Sequence, residues 1–161
     1  MAKPKKPTKT NALRELDTLG ISYECTSYDC DGFMDGVSVA AAIGKSCDET
    51  YKTLVTVGNS RSNYVFVIPA DKELDLKKAA AAVGEKSVAM IHAKDITPTT
   101  GYVKGGCSPV GMKKAFRTVI HAAAADLPTI TVSAGKLGMQ MTLAPADLAW
   151  ACKAEFAEII H

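Results

Sequence analysis

Apolar positions recur along this chain at two periods, and the switches between them lay out its elements. Residues 10–19 (TNALRELDTL) carry Leu13, Leu16 and Leu19 as one stripe at helical spacing, with Thr10 as N-cap candidate and Gly20 as stop, which predicts a helix. ISYECTSY (21–28) alternates and is rich in Ile, Tyr and Thr, predicting a strand that runs into the polar turn DCDGFMDG. A short helix is expected over 37–43, closed by Gly44. TYKTLVTVG and YVFVIPA are β-type runs separated by GNSRSN, whose Gly, Asn and Ser content is turn chemistry, so a hairpin is expected. DLKKAAAAVG (75–84) predicts a third helix between Asp75 and Gly84. A short apolar run at 88–91 is followed by Thr97-Pro98 and an irregular stretch through Gly111. Strands are expected at 117–121, 129–133 and 139–143. Pro145 suits the first turn of a C-terminal helix on which Leu148, Ala151, Cys152, Phe156 and Ile159 share a face, and Trp150 and Phe156 read as core.

Hairpins interleaved with helices imply an α/β fold: one domain over residues 10–161, with a mixed, partly antiparallel sheet flanked by helices. A chain of 161 residues, 47% hydrophobic, is long enough to bury a sizeable core without staples. No apolar run approaches the roughly 20 residues of a spanning helix, and MAKPKKPTKT is basic with no apolar segment behind it, so a cytoplasmic protein without a membrane partner is expected. Cys25, Cys30, Cys47, Cys107 and Cys152 are odd in number and contain no C-x-x-C, which suggests reduced thiols rather than a disulfide or zinc framework. His92, His121 and His161 lack ligand spacing, so no metal is expected. The net charge of +2 rests on Lys3, Lys5, Lys6 and Lys9 in an arm (1–9) expected to be disordered. Between Ile96 and Ala125 there is no Asp or Glu, yet Lys104, Lys113, Lys114 and Arg117 fall there: a solvated basic face, or the docking place of an anionic partner.

The segment GGCSPVGMKK (105–114) asks for bare backbone. Gly106 and Gly111 have the P-loop gap, but Met112 separates Gly111 from Lys113 and Ala115 stands where a Mg²⁺-binding hydroxyl belongs, so nucleotide hydrolysis by that device is excluded. A dinucleotide fingerprint also fails for want of G-x-G-x-x-G. A plain glycine turn and a close-approach loop both remain open. Lys52 lies on a β-run, where alternation sets it opposite Tyr51 and Thr53.

YKTLV (51–55), LDLKKAAAAVG (74–84), TGYVKGGCSPVGMKK (100–114), VSAGKLG (132–138) and DLAWACKAEFAEI (147–159) stand in an order that resembles the YbaK/EbsC family of free-standing aminoacyl-tRNA deacylases, related to the editing domain of bacterial prolyl-tRNA synthetases. The resemblance implies a mixed α/β domain around a curved sheet and hydrolysis of the ester between a wrong amino acid and the 3′-terminal adenosine of a tRNA, usually cysteine on the tRNA for proline. It implies aminoacyl-tRNA and prolyl-tRNA synthetase as partners, and no metal or organic cofactor. By position, Lys52 matches the family's lysine facing the terminal adenosine and its ester, and Gly105 and Gly106 the glycine pair lining the aminoacyl pocket. Ser133 and Tyr28 match substrate-binding positions, and Tyr28 is suited to stack on the terminal adenine. Gln140 stands where the family's cysteine deacylases tend to carry Asp, and Cys30 where they often carry His. Those departures keep a second reading in play, a non-catalytic module that binds a tRNA end or nucleotide and docks on a synthetase.

An aminoacyl ester is already activated, so orientation and charge stabilisation serve it better than a strong nucleophile. Glycine backbone N–H groups at 105 and 106 are the expected oxyanion donors, with Lys52 as the supporting cation. Cys107 is the alternative nucleophile, but no sequence feature sets His92 or His121 beside it, and it reads as a small packing residue.

Overall fold

The computed structural model describes residues 9–30 and 34–161. Of the expected basic arm only Lys9 is described, and part of the polar turn after residue 30 also lies outside the described residues. Three helices begin and end where short polar side chains and glycines put them. Helix α1 (Asn11–Leu19) follows Thr10, whose Oγ1 accepts the Leu13 N–H at 3.2 Å, and stops at Gly20 with φ 72°. Between β1 (Glu24–Ser27) and β2 (Tyr51–Gly58), α2 (Gly36–Ile43) is capped by the Asp35 carboxylate, which accepts the Ser38 N–H at 2.7 Å. After β3 (Asn63–Pro69), α3 (Leu76–Val83) is capped by Asp75, which accepts the Lys77 and Lys78 N–H groups at 3.0 and 3.1 Å.

Beyond β4 (Val88–Met90) the chain forms α4 (Ala93–Thr100), a helix where the sequence led us to expect irregular chain. Pro98 sits inside it and forfeits one backbone bond. The turn survives because Thr100 Oγ1 donates to Ile96 O at 2.8 Å and Gly101 closes the end at φ 83°. Strands β5 (Arg117–His121), β6 (Ile130–Lys136) and β7 (Met139–Leu143) appear as predicted. Helix α5 (Pro145–Cys152) is half the predicted length: Lys153 turns left-handed (φ 53°), and the chain leaves as β8 (Glu155–Ala157). Phe156 and Ile159 therefore reach the interior from extended chain. Phe156 lies opposite Ile120 in a parallel pairing with the open edge of β5, and beyond that ladder the Ile159 N–H donates to His121 Nδ1 at 3.4 Å. Trp150, expected in the core, is 60% exposed.

The expected α/β architecture holds, but its sheet is divided in two. A five-stranded mixed sheet runs β4-β2-β3-β5-β8, and a three-stranded antiparallel sheet runs β1-β7-β6. A parallel bridge between Thr50 and Thr131 joins them. Strand β3 lies in the middle of the larger sheet and is buried on both faces, which is why its sequence is continuously apolar. Val65 and Val67 pack with Leu13, Leu16, Ile130, Val132 and Leu148, while Phe66 and Ile68 pack under Ala79, Ala80 and Val83 of α3. Arg117 from the acid-free stretch is spent on structure: it donates to the Val83 and Ala82 carbonyls at 3.2 and 3.3 Å, at the end of α3.

Candidate active site

The smaller sheet has one apolar and one polar face. Ile130, Val132, Met141 and Leu143 point into the core, and the cross-strand pairs Thr131–Thr142 and Ser133–Gln140 share the other side. These polar residues are buried but satisfied: the Thr131 and Thr142 hydroxyls meet at 2.7 Å, Ser133 Oγ accepts the Gly135 N–H at 3.2 Å, and Gln140 Nε2 donates to Tyr28 Oη at 3.2 Å. The polar face ends in a cavity of about 350 Å³ that lies where the two sheets meet. Residues 50–55 of the β2 segment form its floor, Met34, Asp35, Gly36 and Val39 one wall, Met90, Ile91 and Ile96 another, and Lys104, Gly105, Cys107, Ser133 and Gln140 the remainder.

Both faces of β2 contribute, because the β2–β4 ladder covers only Thr56 to Gly58 and the cavity wraps round the edge left open before it. Lys52 shares its face with Leu54, Thr53 with Tyr51 and Val55. Asp35 lies in the field of the Lys52 ammonium. The Ser38 backbone N–H chiefly, and Lys52 in addition, hold its carboxyl below the usual carboxylate range.

Side-chain bonds stiffen the 102–111 loop. Tyr102 Oη donates to Val110 O at 2.6 Å, Thr97 Oγ1 donates to Tyr102 O at 3.0 Å, and Ser108 Oγ accepts the Val110 N–H at 3.3 Å. The glycine pair on this loop splits into two roles. Gly105 is exposed with φ 83°, lines the cavity, and among the described residues its N–H meets no acceptor. Gly106 is buried and outside the lining; its N–H already donates to Val103 O at 3.0 Å. The expectation of two free amides is thus corrected to one. Gly106 is bare for another reason: a Cβ there would stand 3.0 Å from Leu137 N and from Lys136 C, in the backbone of the β6–β7 turn.

The structure therefore brings Lys52, Gly105, Ser133 and Gln140 to one cavity and sets Tyr28 and Gly106 outside its lining. Cys107 also lines the wall, but burial pushes its thiol up to about 11, so it is neutral at ordinary pH. Neither His92 nor His121 lines the cavity; His121 Nδ1 accepts the Ile159 N–H at 3.4 Å.

Residues 34–150, which hold all of this lining, match the family model for the aminoacyl-tRNA editing domain. The chain belongs to the aminoacyl-tRNA editing-domain family. A protein of Enterococcus faecalis (strain ATCC 700802 / V583), assigned as the Cys-tRNA(Pro)/Cys-tRNA(Cys) deacylase EbsC, is 46% identical over 160 residues, covering 99% of this chain and 98% of that one. Among solved structures, a protein assigned as a trans-editing enzyme for prolyl tRNA synthetase superposes with a TM-score of 0.85 at 21% identity, covering 98% of this chain and 99% of that one. The hypothetical protein APE2540 superposes with a TM-score of 0.86 at 22% identity, covering 94% and 100%. At such identities the two structures establish the fold.

In this editing domain two contributors to the site escaped the sequence reading. Asp35 carried a helix-capping signal in MDGVS but no chemical one. Thr53 gave no local signal; its position in the cavity wall depends on where β4 stops. The assembled groups, a cation, an exposed N–H, a hydroxyl and an amide above apolar walls, suit a small neutral side chain attached to a polar, anionic carrier.

Proposed function

We propose that this editing domain hydrolyses the ester of mischarged aminoacyl-tRNA, with cysteine on the tRNA for proline as its first substrate, acting in trans beside prolyl-tRNA synthetase in the cytoplasm. The 46% identity to the EbsC relative along the whole chain supports the substrate class. The observation that carries the chemistry is the meeting of Lys52 and the Gly105 N–H in one cavity with apolar walls from Met34, Val39, Met90 and Ile91.

Water adds to the ester carbonyl carbon, and negative charge gathers on the carbonyl oxygen. The Gly105 N–H and the Lys52 ammonium stabilise that charge, and one such donor is worth roughly 10²–10³ in rate. The carbon–oxygen bond to the ribose then breaks, and the ribose oxygen leaves with a proton that came from the water. Free amino acid and uncharged tRNA are released. Ser133 Oγ and the Gln140 amide border the acyl group, and Tyr28 steadies Gln140 from behind. Cys107, held as a neutral thiol, serves as wall and forms no acyl intermediate.

Purified protein is incubated with cysteinyl-, alanyl- and prolyl-tRNA and the loss of ester is followed. Cysteinyl ester loss is expected to accelerate, and Lys52→Ala to abolish the acceleration without altering the far-UV CD spectrum. Folded protein that speeds none of the three overturns the proposal; saturable binding of charged tRNA with no ester loss makes the domain a binding module instead.

A further inference from the structure

The hydrogen-bond ladder of β2 is interrupted at Thr53, and the interruption faces the cavity. Gly58 N–H donates to Ser62 O and Ala70 N–H to Thr50 O, each at 2.8 Å, so the even-numbered residues turn their peptide groups toward β3. The odd-numbered residues turn theirs the other way. Val55 O accepts the Ile91 N–H at 3.2 Å on the β4 side, and Glu49 O accepts the Thr131 N–H at 2.8 Å on the β6 side. Thr53 stands between these two attachments. Continuing the register Thr56↔Met90 and Val57↔Ala89 would set Ala93 opposite it, but Ala93 already opens α4. Among the described residues, the Thr53 N–H and C=O therefore have no ladder partner, and Thr53 Oγ1 is buried without a partner as well. Buried polar groups are normally paired, so a buried hydroxyl without a partner, on a half-buried residue whose two free ladder groups face the cavity, points to a ligand.

We propose that Thr53 binds the aminoacyl group directly, as a further catalytic residue, and that this group docks as the missing residue of the ladder. In an antiparallel pair, one residue offers N–H and C=O on the same side and exchanges both bonds with the residue opposite. An α-aminoacyl ester carries the same two groups in the same relation, an ammonium donor and a carbonyl acceptor flanking one Cα. The Thr53 N–H donates to the ester carbonyl oxygen, and the Thr53 C=O accepts from the ammonium. The buried hydroxyl lies beside that donor and acquires a partner when the ammonium arrives. The arrangement gives the oxyanion a second backbone donor in place of the one that Gly106 cannot supply, and it makes the α-amino group a requirement. The inference rests on the deacylase reading given above.

The test removes the N–H alone, by replacing Thr53 in the full chain with its α-hydroxy counterpart through nonsense suppression. A fall in kcat on cysteinyl-tRNA of about 10²–10³ is expected for one lost oxyanion donor. Thr53→Val, which folds without a backbone change, should raise KM about 10- to 100-fold, the loss of one bond to a charged group. Its Tm should hold or rise, because it deletes a hydroxyl that is unpaired in the free protein. A 3-mercaptopropionyl ester on the same tRNA, lacking only the ammonium, should be a poor substrate for the wild type and indifferent to Thr53→Val. Wild-type kinetics from both variants, or equal hydrolysis of the two esters, overturns the inference. A wild-type protein inert toward every aminoacyl ester instead removes the reading on which it stands.

Discussion

Replacing Gly106 by alanine tests the division of labour in the glycine pair. The added Cβ would lie 3.0 Å from Leu137 N, 3.0 Å from Lys136 C and 3.1 Å from Lys136 Cα. Favourable contact between such atoms begins near about 3.5 Å, so one backbone must retreat by roughly 0.5 Å. Neither side gives easily. Gly106 is tied to Val103 O through its own N–H, and the β6–β7 turn is paired at Lys136 with Met139 and passes over the Tyr102 ring at Gly135, where a Cβ would meet Cε1 at 2.8 Å. Overpacking of this kind costs about 1–3 kcal/mol. For a domain of this size each kcal/mol shifts Tm by about 2–4 °C, so Gly106→Ala should melt about 2–12 °C below wild type. The measurement is a CD thermal melt of both proteins, paired with deacylation assays at a temperature where both are folded. Activity should fall as well, because Gly105 and its amide move with the loop. A Tm within about 1 °C of wild type would refute the packing argument. Complete loss of activity at an unchanged Tm would refute it more sharply, by returning a catalytic donor role to the Gly106 N–H.

Cys107→Ser should keep most of the deacylase rate, and iodoacetamide at neutral pH should leave the native enzyme active, because the wall thiol, pushed up to about 11, stays protonated there. The Ser60 and Tyr64 hydroxyls hold the Glu85 carboxyl below its usual range. A folded-state value below the unfolded one stabilises above the unfolded value, about 4.3, and is lost as pH falls through the folded one. Glu85→Gln should therefore lower Tm at neutral pH, with the gap closing in melts taken progressively below that value. The single tryptophan, Trp150, is 60% exposed, so native fluorescence should be red-shifted and readily quenched by acrylamide; a blue-shifted, protected emission would contradict its place on α5.

Much of the fold was legible because its signals are local. Thr10, Asp75, Gly20, Gly44 and Gly84 mark helix ends within one turn of the residues they cap, and GNSRSN marks the β2–β3 turn by its own composition. Where two local signals competed, tertiary pairing chose. Pro98 argued against α4, yet side-chain bonds from Thr97 and Thr100 hold its last turn together. The apolar spacing of Phe156 and Ile159 fitted a helix, yet pairing with β5 drew Phe156 into a strand, and Ile159 follows it with its N–H on His121 Nδ1.

Of the site, Lys52, Gly105, Ser133 and Gln140 could be named from the sequence through the family that its motifs resemble. Which of their groups are free could not. The amide of Gly106 is consumed by Val103, and the groups of Thr53 are released because β4 ends three residues too soon. The sequence by itself determined the caps, the turns and the alternation of strands, since those arise between residues a few positions apart. Only the tertiary structure decided where one sheet becomes two and which edge stays open. That outcome depends on register between segments some 35 to 80 positions apart, such as Thr56 with Met90 and Thr50 with Thr131, and nothing in either segment alone encodes where its partner will stop.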